Sequence, residues 1–153
     1  MFARYFVELQ LPFERVQAAL TRSPEEWLPG IARRADDTSQ ALLTEVGFGA
    51  RERIDRTVAI RFGEPVTMPT KAILPMHWED RSAGGLFPSM DADLEVAPIG
   101  PSRTQLAISA RYRPPLGALG RMIDRAVLHR VAEATLKDFV DGIAAALTAG
   151  SAV

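Results

Sequence analysis

Two histidines, His77 and His129, could act as acid or base catalysts, because an imidazole changes its charge near neutral pH. They are far apart in the chain and no HxH or HExxH spacing accompanies them, so the sequence predicts no metal site. His77 precedes Trp78 in a strand-like segment, where alternation predicts that Trp78 faces the core and His77 the solvent. His129 lies in a helical segment, where a lone histidine more often makes a surface or interhelix contact. We therefore predict no catalytic residue and no cofactor.

Arg56 and Tyr112 are polar residues that could hold a ligand. Arg56 is the charged member of an apolar strand face, from which it could bind a carboxylate, enolate or phosphate. Alternatively, it reaches solvent at the strand end or pairs with Asp80. Tyr112 ends the last strand on the apolar face, where its hydroxyl could bond a ligand or its ring could pack under the following helix. Both alternatives stay open for each residue.

A row of acidic residues, by contrast, is typical of a solvated strand face. Asp91 and Asp93 stand two residues apart, which invites comparison with a pair of catalytic carboxylates. They share the polar face of one strand with Glu95, and Arg103 and Arg111 occupy the polar face of the next strand. Cross-strand ion pairs explain this pattern better than catalysis does.

The composition excludes several functional classes. The 153 residues suit one domain, which we place at residues 1–148, with a frayed tail at 149–153. A net charge of −1 disfavours nucleic acid as a partner, and the absence of cysteine excludes disulfides, thiolate nucleophiles and zinc–thiolate sites. The N-terminal segment MFARYFVELQLPF lacks the features of a signal peptide, and no apolar run reaches the about 20 residues of a membrane span. We expect a cytoplasmic protein without integral membrane association.

The segment from Leu116 to Leu147 predicts the long helix around which the domain is built. No proline interrupts it, and its apolar residues recur mostly at steps of three and four: Leu119, Ile123, Val127, Val131, Leu136, Phe139, Val140, Ile143 and Leu147. At about 1.5 Å per residue the helix would be roughly 40 Å long, and its wide apolar face would need a large apolar partner.

The preceding chain predicts that partner, an antiparallel sheet. Two helices are expected after the first strand, one at Phe13–Thr21 and a second from Ser23, whose end Pro29-Gly30 leaves open, followed by a loop at 33–40. Alternation predicts strands at 3–11, 53–62, 71–80, 87–96 and 103–112, and an apolar run that ends near Gly47 and Gly49 predicts another at 41–48. The segment 63–70 is expected to be a loop, an edge or a seventh strand. Pro75 indicates an edge strand or a bulge, and 98–101 is expected to be a hairpin turn.

These elements predict an α+β fold. A strongly twisted antiparallel sheet of six or seven strands would wrap around the long C-terminal helix, with two short helices between the first two strands. Such a sheet can close on the helix at one end and gape at the other, which would leave an apolar cavity between them.

The chain resembles the START-like, Bet v 1-like or polyketide-cyclase-like superfamily, also called SRPBCC, in the order of its elements. The resemblance also rests on the segments LPFERV, SPEEWLPG, LPMHWEDRSAGGLFPSMDADLEVAPIG and YRPPLGALGRMIDRAVLHRVAEATLKDFV, and the last two are similar to uncharacterised actinobacterial members. It implies a helix-grip fold around a cavity that binds lipids, sterols or polyketides, and some members catalyse cyclisation or dehydration there. It implies no catalytic residue, because the superfamily shares no catalytic motif.

We therefore expect the chain to bind a small hydrophobic ligand, such as a lipid or polyketide, between the sheet and the C-terminal helix. The cavity wall is predicted to contain Arg56, Val58, Ile60, Leu74, Met76, Trp78, Met90, Leu94, Ile108, Tyr112, Met122, Ile123 and Val127. One alternative is a cyclase, aromatase or dehydratase acting on a polyketide-like substrate. Another is a protein-interaction module with a filled cavity and an exposed apolar patch. A homodimer stays open.

Overall fold

The computed structural model describes residues 2–45, 58–80, 89–113 and 125–150. Within these ranges the chain forms six strands and three helices. They are β1 (Phe2–Leu9), α1 (Phe13–Arg22), α2 (Pro24–Glu45), β2 (Val58–Phe62), β3 (Val66–Met68), β4 (Lys71–Asp80), β5 (Ser89–Gly100), β6 (Arg103–Arg113) and α3 (Arg125–Gly150). A search of the described helices for one long and apolar enough to cross a membrane found none.

The strands form one antiparallel sheet in the order β1-β6-β5-β4-β2, and β3 pairs with β4 next to β2. The register places Leu94 of β5 between Leu74 of β4 and Ile108 of β6. These three side chains are at most 2% exposed, whereas Asp93 beside Leu94 is exposed. The alternation that predicted the sheet therefore does separate a buried face from a solvated one, and the predicted α+β class is confirmed.

Helix α3 lies on the inner face of this sheet, where Trp78 of β4 meets Phe139 of α3 edge to face, with ring centroids 5.3 Å apart. The predicted long helix is confirmed for its described part, and it continues to Gly150; residues 116–124 lie outside the described residues. Its buried positions follow a three- and four-residue repeat: Leu128, Val131, Ala132, Thr135, Leu136, Phe139, Val140 and Ile143. The sheet thus grips the helix through direct side-chain packing.

Helix α2 corrects two predictions. The loop predicted at 33–40 is helical, and the strand predicted at 41–48 is helical over residues 41–45, so the second helix has 22 residues instead of being short. Its buried positions, Leu28, Ile31, Ala32 and Ala35, recur at steps of three, one and three, which is a helical repeat. Pro29 lies in the second turn of α2, where its nitrogen cannot donate the hydrogen bond to the Glu25 carbonyl, and the helix continues beyond it to Glu45.

Pro75 also needs a correction, because β4 is an inner strand rather than an edge. β2 pairs with β4 from Asp80 back to Met76, and β3 pairs with it from Ile73 to Lys71, so Pro75 lies in the gap between β2 and β3. Its carbonyl accepts a hydrogen bond from the Gly63 amide at 2.8 Å, on the side where a proline cannot donate one. Because neither β2 nor β3 pairs with Pro75, its missing N–H leaves no ladder hydrogen bond unmade on that side of β4.

The segment 63–70, for which the sequence allows a loop, an edge or a strand, contains the short strand β3. The hairpin turn predicted at 98–101 is displaced, because β5 continues to Gly100 and the turn occupies residues 101–102. A register shift between Pro98 and Gly100 accommodates the extra length. Both differences move the bounds of elements without changing which face of the sheet is buried.

Candidate functional site

Most of the predicted cavity residues lie on the inner face of the sheet. Seven of them are buried in the core, namely Leu74, Met76, Trp78, Met90, Leu94, Ile108 and Tyr112, and Ile60 and Val127 are half-buried beside it. Val58 begins β2, and its side chain lies outside the described ones. Arg56, Met122 and Ile123 lie outside the described residues. The fold therefore brings most of these side chains together on one face of the sheet, where Trp78 contacts Phe139 of α3 and Tyr112 contacts His129 of α3.

A cavity of about 470 Å³ opens at the edge of this sheet, between β1, the C-terminal part of α2 and the N-terminal half of α3. We call it the β1–α3 groove. Its lining contains one of the residues predicted from sequence, Val127, and is formed by Arg4, Tyr5, Leu42, Val127, Arg130, Val131, Glu133, Ala134 and Lys137. A second cavity of about 480 Å³ lies between α1, α2 and the C-terminal end of α3, and it contains none of the predicted residues.

The β1–α3 groove has an apolar floor and a charged rim. Val131 is buried, and Leu42, Val127 and Ala134 are half-buried, so they present an apolar surface to the cavity. The charged side chains around it, Arg4, Arg130, Glu133 and Lys137, are all exposed. An apolar floor with a few polar groups at its margin is the usual construction of a small-molecule site.

A three-residue network fixes one end of the groove. The Tyr5 hydroxyl donates a hydrogen bond to Oδ1 of Asp141 at 2.9 Å, and the Lys137 ammonium donates to Oδ2 of the same carboxylate at 2.7 Å. Burial, followed by the bond to Asp141, raises the pKa of Tyr5, and the bond to Asp141 raises the pKa of Lys137. Both groups therefore keep their protons at neutral pH, and the Lys137 charge is already balanced by Asp141.

A second network connects the groove to the core of the sheet. His129 Nδ1 lies 2.6 Å from the Tyr112 hydroxyl, and His129 Nε2 lies 3.0 Å from Oε1 of Glu133, which lines the groove. Because a carboxylate only accepts, Nε2 carries a proton, and Nδ1 of a neutral His129 accepts the Tyr112 proton. Burial raises the pKa of Tyr112, which favours this protonated phenol. His129 therefore makes a helix-to-sheet contact.

The other histidine belongs to the opposite face of the sheet, as alternation predicted. Trp78 is buried, while His77 points outward and places Nδ1 at 2.6 Å from Oδ1 of Asp91. Arg113 donates to the other oxygen of Asp91 at 2.9 Å. The register sets Arg111 opposite Asp91, but these hydrogen bonds come from His77 and Arg113. The solvated-stripe interpretation of Asp91 is confirmed, with different partners.

Arg103, predicted to balance the same acidic stripe, instead bonds Glu8 of β1. The difference arises because Arg103 begins β6, and β6 lies between β5 and β1 in the sheet.

Among the described residues, no group of three or more histidine, aspartate or glutamate side chains is arranged to hold a metal ion.

The Asp91 network makes acid stability testable. The hydrogen bond from His77 is the main reason that the pKa of Asp91 is lowered, so its stabilisation is complete above the unfolded pKa of about 3.9 and is lost as pH falls through the folded pKa. Because the side chain is 50% exposed, we expect Asp91→Asn to cost at most about 1 kcal/mol near pH 7. Urea titrations should show a smaller loss of stability below about pH 4 in Asp91→Asn than in the wild type. Identical acid slopes would contradict the assignment.

Several groove residues escaped the sequence analysis. Arg4, Tyr5, Arg130 and Lys137 come from an edge strand and from exposed positions of α3, and they meet only because α3 docks beside β1. Tyr5 carried a usable signal, since a phenol on the apolar face of a strand needs a hydrogen-bonding partner. Its partner, Asp141, follows the apolar pair Phe139-Val140 on α3.

Comparisons with known proteins identify the fold. No family model and no curated protein sequence matches the chain. Among solved structures, the START superfamily protein from Mycobacterium smegmatis matches 96% of this chain and 97% of its own, at TM-score 0.50 and 9% identity. Ara h 8.0201 matches 97% and 98%, at TM-score 0.53 and 6% identity. PFC0360w, an HSP90 activator from Plasmodium falciparum, matches 97% and 96%, at TM-score 0.53 and 17% identity. The chain therefore has the START-like, helix-grip fold.

Proposed function

We propose that the protein binds a small hydrophobic molecule, and that the β1–α3 groove is where this molecule is held. The observation that carries the proposal is a cavity of about 470 Å³ at the junction of the sheet and the C-terminal helix, with an apolar floor. Ligand pockets are commonly about 300–1,000 Å³, so the volume suits a drug-sized or single-chain lipid-sized molecule. The START-like fold supports the same function, because the resemblance of the sequence to this superfamily implies a cavity that binds lipids, sterols or polyketides.

In our proposal one predicted residue of the inner face, Tyr112, supports the groove from behind. The Tyr112 hydroxyl is hydrogen-bonded to Nδ1 of His129. Nε2 of the same imidazole contacts the carboxylate of Glu133, which lines the groove. Val131 lies between the two regions, because it is buried in the core cluster and also lines the groove. A ligand on the groove floor would therefore lie against side chains held in place by the core, which reduces the entropy cost of binding.

Filling the groove should weaken binding of a neutral apolar probe. Ala134→Phe places a ring over the half-buried floor, and we expect it to weaken binding of the fluorescent probe N-phenylnaphthylamine at least tenfold, about 1.4 kcal/mol. Ala146→Phe is the matched control, because Ala146 lies on the same helix but lines the second cavity. Fluorescence titration of wild type and both variants measures the affinities. Loss of binding in Ala146→Phe alone, or in neither variant, would refute this location.

One observation favours an enzyme as a second candidate function. Tyr112, His129 and Glu133 form a phenol–imidazole–carboxylate series that could move a proton between the core and the groove. The enzyme alternative requires a substrate that reaches Glu133 or His129, whereas the binding function needs only the apolar floor.

The interaction-module alternative predicted a filled cavity and an exposed apolar patch. The β1–α3 groove is open, which differs from the first of these expectations. Phe2 and Phe6 are exposed on β1, which agrees with the second.

A further inference from the structure

The charges around the β1–α3 groove are unevenly balanced. Three cationic side chains and one carboxylate line it: Arg4, Arg130, Lys137 and Glu133. The Lys137 ammonium donates a hydrogen bond to the Asp141 carboxylate, and the Glu133 carboxylate contacts Nε2 of His129. Both of these side chains are thus held by neighbours within the protein.

The two arginines differ from Lys137 in this respect. Over the ranges 2–45, 58–80, 89–113 and 125–150, neither Arg4 nor Arg130 forms an ion pair or a side-chain hydrogen bond, although other exposed arginines in these ranges do. Arg103, for example, bonds Glu8, and Arg113 bonds Asp91. A guanidinium has five N–H donors and prefers a planar anion that accepts two of them at once. The groove therefore has two cationic groups available for an anion.

The arginines stand beside the apolar floor. Arg4 comes from β1, next to Tyr5, and Arg130 comes from α3. Along the helix, Val127 precedes Arg130 by three residues and Ala134 follows it by four, so the three side chains share one side of α3. A molecule with its head at the arginines would place its body along Val127 and Ala134.

From these positions we infer that the ligand of the groove is an amphipathic carboxylate, with its headgroup between Arg4 and Arg130 and its apolar chain on the floor. This inference rests on the proposed binding function and adds the chemical class of the ligand. Two guanidinium groups and the Glu133 carboxylate leave this end of the groove with one uncompensated positive charge, since Asp141 balances Lys137. One carboxylate neutralises that charge, whereas a phosphomonoester dianion would leave a negative charge without a partner beside Glu133. The exposed arginines place the headgroup near solvent, where salt weakens the attraction.

Ligands that differ only in the headgroup test the inference. Displacement of N-phenylnaphthylamine by decanoate, decanol and decyl phosphate compares a monoanion, a neutral group and a dianion on the same chain. We expect decanoate to displace the probe at a concentration at least tenfold lower than either of the others. We expect the double variant Arg4→Gln/Arg130→Gln to lose this preference, so that decanoate and decanol displace the bound probe at similar concentrations.

A matched pair of arginines controls for overall charge. Arg61→Gln/Arg111→Gln removes the same two charges from exposed strand positions that do not line the groove, and it should leave the preference for decanoate intact. Equal displacement by decanoate and decanol would overturn the carboxylate inference and leave the binding function standing, and so would an equal loss in both double variants. Stronger displacement by decyl phosphate would also overturn it. Failure of the wild type to bind the neutral probe would refute the binding function, and the inference with it.

Discussion

Replacing Trp78 with alanine is expected to lower the free energy of unfolding by about 3–5 kcal/mol, the range found for removing a large buried aromatic side chain. Trp78 is 1% exposed, and its ring packs edge to face on Phe139 of α3. On the sheet it stands between Ile60 of β2 and Met90 of β5, so its removal leaves a space bordered on several sides. The aromatic pair adds about 0.5–1.5 kcal/mol beyond the buried area, because edge-to-face rings attract each other.

Urea unfolding followed by circular dichroism measures this loss without depending on tryptophan fluorescence. Phe6→Ala is the control, since Phe6 is an aromatic residue of the same sheet that is 55% exposed, and it should cost less than about 1 kcal/mol. If Trp78→Ala is too unstable to fold, Trp78→Phe, which keeps the ring contact with Phe139, should still show a loss intermediate between the two. A cost for Trp78→Ala no greater than that for Phe6→Ala would show that the ring is not packed as described.

The same variant separates two locations for the ligand. Trp78 does not line the β1–α3 groove, so affinity for N-phenylnaphthylamine should change less than threefold if binding occurs there, which is under about 0.7 kcal/mol. A ligand held deeper, among the predicted inner-face residues, would instead lose a wall and bind more weakly. Measuring stability and probe affinity on one protein thus tells a core residue from a ligand-contacting one.

Strand alternation predicted the sheet well because burial of one face is decided locally. In β5 the buried side chains Met90, Ala92, Leu94 and Val96 alternate with polar ones, and this pattern appears in the sequence whatever lies above the sheet. Helix α2 was harder, because Pro29-Gly30 and the polar run after Ala32 hide a narrow buried stripe. Two of the four buried apolar residues in this stripe are alanines, Ala32 and Ala35. Alanine is common on exposed helix faces as well as in the core, so its position in the sequence does not indicate burial.

The groove could not be predicted, because its residues meet through tertiary docking. Arg4 and Arg130 have no relation in sequence, and their common site depends on where α3 lies along β1. Val127 was predicted because it belongs to the apolar repeat of α3, and it can also line the groove because it is only half-buried beside the core. Sequence periodicity therefore finds the apolar side of a site more readily than its charged rim.

Gly142→Ala should destabilise the protein by about 1–2 kcal/mol, although alanine is the better helix former by about 1 kcal/mol. A Cβ atom at Gly142 would lie 2.7 Å from Cγ2 of Ile31, which is closer than real atoms approach. Ile31 is buried and branched at Cβ, so its methyl group cannot rotate away cheaply. Helices α2 and α3 would have to separate, and the overpacking cost of about 1–3 kcal/mol exceeds the gain in helix propensity.

Two comparisons isolate this contact in urea unfolding. Gly30→Ala, in α2, meets no atom within 4 Å, so it should stabilise the protein by up to about 1 kcal/mol through helix propensity alone. Ile31→Ala removes the obstructing methyl group, and in that background Gly142→Ala should change sign and become stabilising. Because α2 was expected from sequence to end in a loop at 33–40, this reversal also tests the close packing of two helices that only the structure brings together. Destabilisation of equal size in both backgrounds would mean that Ile31 does not limit the approach of α2 to α3.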